Sequence, residues 1–158
     1  MGVISPIIAF AILLSTCAIS QAAQVIAITD GDTLKVLQGR QQIKVRLADI
    51  DAPEKRQPFG QRSRQSLSDL CFGKDARLDV RNKDRYGRTV ARVYCDGIDA
   101  NRAQVERGLA WVYTHYNTDP KLPAVEQAAR AAGVGLWRDP KPVPPWEWRR
   151  AKTKSPGG

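Results

Sequence analysis

The chain has 158 residues, with 25 Lys and Arg against 16 Asp and Glu, a formal charge of +9. The first 24 residues carry no charged side chain, so all of that charge belongs to the remainder. That remainder, about 135 residues, has the size of one domain and leaves no room for a second. So basic a domain points to a polyanionic partner, either nucleic acid or an anionic membrane surface.

In chain order, residues 1–23 are apolar from about Val3 to Ile19 and end in the small residues Ala22 and Ala23. This pattern predicts a secretory signal peptide cleaved after Ala22 or Ala23, and hence a secreted or periplasmic protein. The run is long and its start lacks a basic residue, which keeps an uncleaved membrane anchor as the alternative. Cys17 leaves with this segment. Cys71 and Cys95 then remain as an even pair in an exported chain, and they are expected to form a disulfide.

Three strands are predicted at about 24–29, 33–38 and 42–48, punctuated by Asp30-Gly31 and Gly39-Arg40. In the third, Ile43, Val45 and Leu47 share one face, and Lys44 and Arg46 point the other way. A helix follows at about 59–70. Two further strands, "ARLDVRN" and "RTVARVYC", are joined through "KDRYG". A second helix is expected over 99–107, stopped by Gly108, and a third in the alanine-rich "AVEQAARAAGVG". The domain is expected to span 24–148, with Trp146 and Trp148 clamping the tail onto it, and residues 149–158 to form a basic, disordered tail. This order is α+β, and five short strands so arranged suit the oligonucleotide-binding (OB) type of Greek-key β-barrel.

Several charged residues fit this frame poorly. Asp30 and Asp32 flank one glycine, Arg46 lies on a strand, Asp51 and Glu54 follow it in "DIDAPE", and Arg88 closes "DRYGR". Taken singly, each has a plain explanation: a hairpin turn, a helix cap, a surface ion pair. If the first three strands form one meander, however, Asp32 and Asp51 meet at one end of the sheet. Oxygen donors converging without His or Cys suit a hard cation such as Ca²⁺ or Mg²⁺. His115, the sole histidine, has no evident catalytic role, and Tyr113 and Tyr116 can serve either base stacking or packing.

With "DGDTLKV", "VRLADIDAPE", "QPFG", "DRYGR", "ERGLAWVY" and "GLW" in this order, the chain resembles the thermonuclease (staphylococcal nuclease-like) family from about Val25 to Trp148. The resemblance implies a five-stranded OB-fold barrel with about three α-helices, and a calcium-dependent, sugar-nonspecific endonuclease that hydrolyses DNA and RNA to leave 3'-phosphates. It makes Asp32 and Asp51 the Ca²⁺ carboxylates, the backbone carbonyl of Ala52 a further ligand, and Asp30 an acidic neighbour acting through water. It makes Glu54 the general base, Arg46 and Arg88 the catalytic phosphate-binding arginines, and Arg85 and Tyr86 a pair that contacts a neighbouring phosphate. Asp49, and a loop before Asp84 shorter than in the type member, depart from the family pattern. A monomer without an obligate protein partner is expected. The competing expectations are a non-catalytic OB-fold nucleic-acid-binding protein and the same nuclease tethered by an uncleaved N-terminus.

Overall fold

The structure, a computed structural model, describes residues 23–154. The expected signal peptide therefore lies outside the described residues except for Ala23. That residue is buried at the start of strand β1 and paired with Ala76.

Strands β1 (Ala23–Asp30), β2 (Thr33–Gln38) and β3 (Gln41–Leu47) form the expected antiparallel meander. After the short β4 (Ile50–Asp51) and helix α1 (Gly60–Cys71), strands β5 (Asp75–Lys83) and β6 (Thr89–Cys95) form the second hairpin. β1 pairs with β5, and β3 closes the barrel by pairing parallel with β6 from Val45–Thr89 to Leu47–Ala91. A closed sheet leaves few unpaired edges. The five-stranded OB-type barrel expected from the sequence is thus the architecture observed.

The remaining elements are β7 (Ile98–Asp99), α2 (Ala100–Glu106), β8 (Trp111–Val112), α3 (Leu122–Ala131), a 3₁₀ turn at Gly135–Arg138 and α4 (Pro145–Lys154). The alternating strand pattern sends Leu34, Val36, Val45, Leu47 and Val93 into one core, where Leu67, Val105 and Leu122 meet them from the helices. Full burial of each such side chain contributes about 1.5–3 kcal/mol. Cys71 and Cys95 are bonded, with Cα atoms 5.2 Å apart, and tie the end of α1 to the end of β6.

Among the described residues there are four α-helices, consistent with the about three expected. The disorder expected from residue 149 does not hold for 149–154, because α4 carries the chain through Lys154. Proline at the first helical position starts that helix at low cost, and tertiary packing holds it. Trp146 stacks on Tyr113 at 5.4 Å between centroids and meets Trp111 edge-on at 5.8 Å. Trp111 in turn meets Trp137 at 4.5 Å, and Arg130 lies over the Trp137 ring at 4.0 Å. Trp146 therefore clamps the tail as expected. Among the described residues no helix is long and apolar enough to cross a membrane.

Candidate active site

The turn between β1 and β2 is held in place by its own carboxylates. Asp32 N–H donates to Asp30 Oδ1 at 3.1 Å, and Thr33 Oγ1 donates to Asp32 Oδ1 at 3.0 Å. From below, the buried Gln104 of α2 donates through Nε2 to Gly31 O at 2.7 Å and to Ser63 O at 3.0 Å, fastening the turn to α1. Gly31 is required by crowding: a Cβ there would lie 1.8 Å from Ser63 Oγ and 2.8 Å from the Ala52 methyl.

β3 and β4 bring the second half. Arg46 sits opposite Thr33 in the ladder, so its outward face lies beside the turn. Its guanidinium reaches Asp32 Oδ2 at 3.4 Å and Asp51 Oδ1 at 3.1 Å, and it also donates to the carbonyls of Leu47 and Ile50. Ala52 N–H donates to Asp32 Oδ2 at 2.7 Å, joining the two acidic segments directly. Asn101, also buried, spans Ala48 O at 2.8 Å and Val93 N at 3.0 Å and fixes the exit of β3 against β6.

Glu54 completes the cluster. Gly60 lets its loop close, since a Cβ at Gly60 would lie 2.0 Å from Glu54 O. Glu54 N–H donates to Gln57 Oε1 at 3.0 Å, and Gln57 Nε2 donates to Val143 O at 2.6 Å, which links this loop to the tail. The residue that the sequence reading assigned to disorder, Arg149, reaches the centre. It donates to Asp51 Oδ2 at 2.7 Å, to Asp51 Oδ1 at 3.3 Å and to Glu54 Oε1 at 2.7 Å.

The electrostatics follow from crowding. Three carboxyl groups, Asp32, Asp51 and Glu54, pair with two guanidinium groups, and a fourth, Asp30, lies beside Asp32. Burial, reinforced by the charge of Asp32, pushes the Asp30 carboxyl up to about 7. Burial also raises Asp51, against the pull of Arg149 and Arg46. For Arg149 burial works against the charge, and its bonds to Asp51 and Glu54 more than offset this, so its affinity for its proton rises. The donor set is entirely oxygen and short of positive charge, which fits a hard cation. Among the described residues no group of three or more His, Cys, Asp or Glu side chains is placed to hold a metal alone. A cation here would draw its other donors from backbone, water or substrate.

Not every residue expected at the site joins this cluster. Arg85, Tyr86 and Arg88 form a second group on the β5–β6 turn. Asp84 accepts from Tyr86 N at 2.9 Å, Arg88 N at 3.0 Å and Arg88 Nε at 2.7 Å. Arg85 Nη2 donates to Tyr86 Oη at 2.7 Å, and the Tyr86 ring is exposed. The contacts described for Arg88 are with Asp84 and the Tyr86 ring. Asp49 turns away from the cluster, with φ at 66°, and accepts from Arg81 Nη1 at 2.7 Å and Thr118 N at 2.9 Å. His115 packs edge-on against Tyr116, outside the cluster. A groove of about 770 Å³, lined by Ile43, Arg77, Val80 and Tyr94 among others, contains none of the acidic cluster.

Sequence reasoning missed Arg149, Gln104 and Asn101. The one available signal for Arg149 was Pro144-Pro145 ahead of Trp146, a helix start with proline at its first position.

Fold and site together define a barrel enzyme whose acidic rim, flanked by arginines, suits phosphate esters. Residues 44–139 match the staphylococcal nuclease homologue family. The chain is 47% identical over 140 residues to an uncharacterized endonuclease of Haemophilus influenzae, across 87% of this chain and 79% of that protein. It is 45% identical over 139 residues to a micrococcal nuclease of Shigella flexneri, across 81% and 80% respectively. A staphylococcal-like nuclease of Arabidopsis thaliana is 38% identical over 109 residues, 69% of this chain and 34% of that protein. The chain belongs to the staphylococcal nuclease family, and its enzyme class is that of the phosphodiester hydrolases.

Proposed function

We propose that the protein is an exported, calcium-dependent endonuclease that cleaves DNA and RNA without sequence preference, leaving 3'-phosphates, and that it works as a monomer. The observation that carries this reading is the convergence of Asp32, Asp51, Arg46 and Glu54 at one barrel rim, held by the Ala52 N–H to Asp32 bond at 2.7 Å. Asp32 and Asp51 would hold the cation, with the Ala52 carbonyl as a further donor and Asp30 acting through water. Bound Ca²⁺ supplies Lewis-acid polarisation of a phosphate oxygen.

The protein's own residues do the rest. A phosphodiester is already anionic and gathers more charge on its equatorial oxygens as it reacts. Arg46, and Arg88 from the β5–β6 turn, donate paired N–H bonds to those oxygens, a planar grip that a lysine would not give. Donors that tighten as this charge develops raise the rate, by about 2–4 kcal/mol each. The Glu54 side chain is 41% exposed, so water reaches it, and its carboxylate takes the proton of the attacking water. Arg85 and Tyr86 grip a neighbouring phosphate, and because these contacts fall on the backbone, the base is not read.

Glu54→Gln is the direct test. Turnover should fall about 10²- to 10⁴-fold, while cation-dependent binding of a nucleotide stays within a few-fold of the parent. Turnover that survives the change removes Glu54 from the role of base.

A further inference from the structure

Arg149 pairs with Asp51, one of the two carboxylates that the reading above gives to a cation, and the inference here rests on that reading. The Asp51 side chain is only 2% exposed, and guanidinium nitrogens meet both of its oxygens. Nothing from solvent reaches that carboxylate without displacing one of them. The two arginines are not held equally. Arg46 is 13% exposed and anchored to the carbonyls of Leu47 and Ile50 besides its carboxylates. Arg149 is 42% exposed, and its described hydrogen bonds go only to Asp51 and Glu54.

Arg149 is therefore the partner that can leave. It stands on α4, which is reached through a chain segment containing Pro140, Pro142, Pro144 and Pro145 and is pinned by Trp146 on Tyr113 and Trp111. It also lies beyond residue 139, where the match to the family model ends.

We propose that Arg149 is a resident counter-ion of the carboxylate cluster, which satisfies Asp51 and Glu54 in the cation-free protein and competes with a divalent cation for Asp51. Loading the site then requires α4 to release its hold on Asp51. The competing state lowers the apparent affinity for the cation by the fraction of molecules in which Arg149 is seated.

The test uses the whole mature chain and Ca²⁺ alone, with no substrate. Calorimetric titration of Arg149→Gln should show Ca²⁺ binding about tenfold tighter than the parent, and its melting temperature in chelator should fall below the parent's. Arg149→Lys keeps the charge and loses the two-pronged grip, and should fall between them. It also serves if the Gln variant folds poorly. Opposite movements of affinity and cation-free stability are what a purely structural salt bridge would not give. Unchanged or weaker Ca²⁺ binding in both variants, with parental cleavage still dependent on cation, overturns the competition alone. Absence of Ca²⁺ binding by parent and variants alike overturns the cation reading and this proposal with it.

Discussion

Asp119 shows how single charged groups hold the loops around the site. Its carboxylate accepts from Lys121 N at 2.8 Å and pairs with Arg92, which also holds Asp99, the N-cap of α2. The Lys121 N–H bond, and after it the Arg92 guanidinium, outweigh burial and hold the Asp119 carboxyl below its usual range. A depressed carboxyl stabilises the fold above its unfolded pKa, near 3.8, and that contribution is lost as pH falls through the folded value. Asp119→Asn keeps an acceptor for Lys121 but turns an amide donor on Arg92. It should cost about 1–3 kcal/mol at neutral pH, and the difference in melting temperature from the parent should shrink below about pH 4. A gap that stays constant down to pH 3 would show that the charge of Asp119 does not stabilise the fold. Gly31 is a different case, where space decides. Gly31→Ala drives a methyl into Ser63 Oγ and the Ala52 methyl, and overpacking of this kind costs about 1–3 kcal/mol. Since Ala52 N–H holds Asp32, cleavage should fall together with melting temperature. A variant with both unchanged would show that the turn has room to move.

Among the elements, those with regular periodicity were legible and those made by tertiary contact were not. The alternation of Ile43, Val45 and Leu47 gave β3, and it also put Arg46 on the outward face where the site forms. The carboxylates Asp32, Asp51 and Glu54 stood out because charged residues at strand ends need a reason. Arg149 did not stand out, because its surroundings are rich in Pro, Trp and basic residues and read as an unfolded tail. α4 forms because Trp146 finds Tyr113 and Trp111, a contact across 33 and 35 residues of sequence that no local pattern announces. Gln104 and Asn101 were hidden for a related reason: a buried amide means nothing until the carbonyls it meets, at Gly31 and Ala48, are in place. The disulfide was legible from cysteine count, and its effect belongs to this scale as well. It joins α1 to β6 across a sequence separation of 24, for which loop closure gives about 3 kcal/mol. Denaturant unfolding with and without reductant should differ by about that amount, and identical curves would mean the bond does not constrain the unfolded chain.

At the scale of the whole molecule, charge is distributed in two senses at once. The chain as a whole carries +9, which draws a polyanion and speeds its arrival in a salt-sensitive way. The rim where Asp30, Asp32, Asp51 and Glu54 lie is locally acidic and, on the proposed reading, draws a cation instead. A polyanionic substrate and an acidic centre repel each other unless something positive lies between them. The sequence alone already contained both halves of that contrast. It did not announce that Arg149 would come back to pair with Asp51 and Glu54. On the proposed reading the acidic rim holds a cation for phosphodiester cleavage. The measurement that tests it most directly is cleavage of single-stranded DNA, double-stranded DNA and RNA by the mature domain with Ca²⁺, with Mg²⁺ and with excess chelator. Cleavage of all three substrates is expected in Ca²⁺ and none in chelator. Cleavage that persists in chelator, or binding without cleavage under every cation, would contradict it.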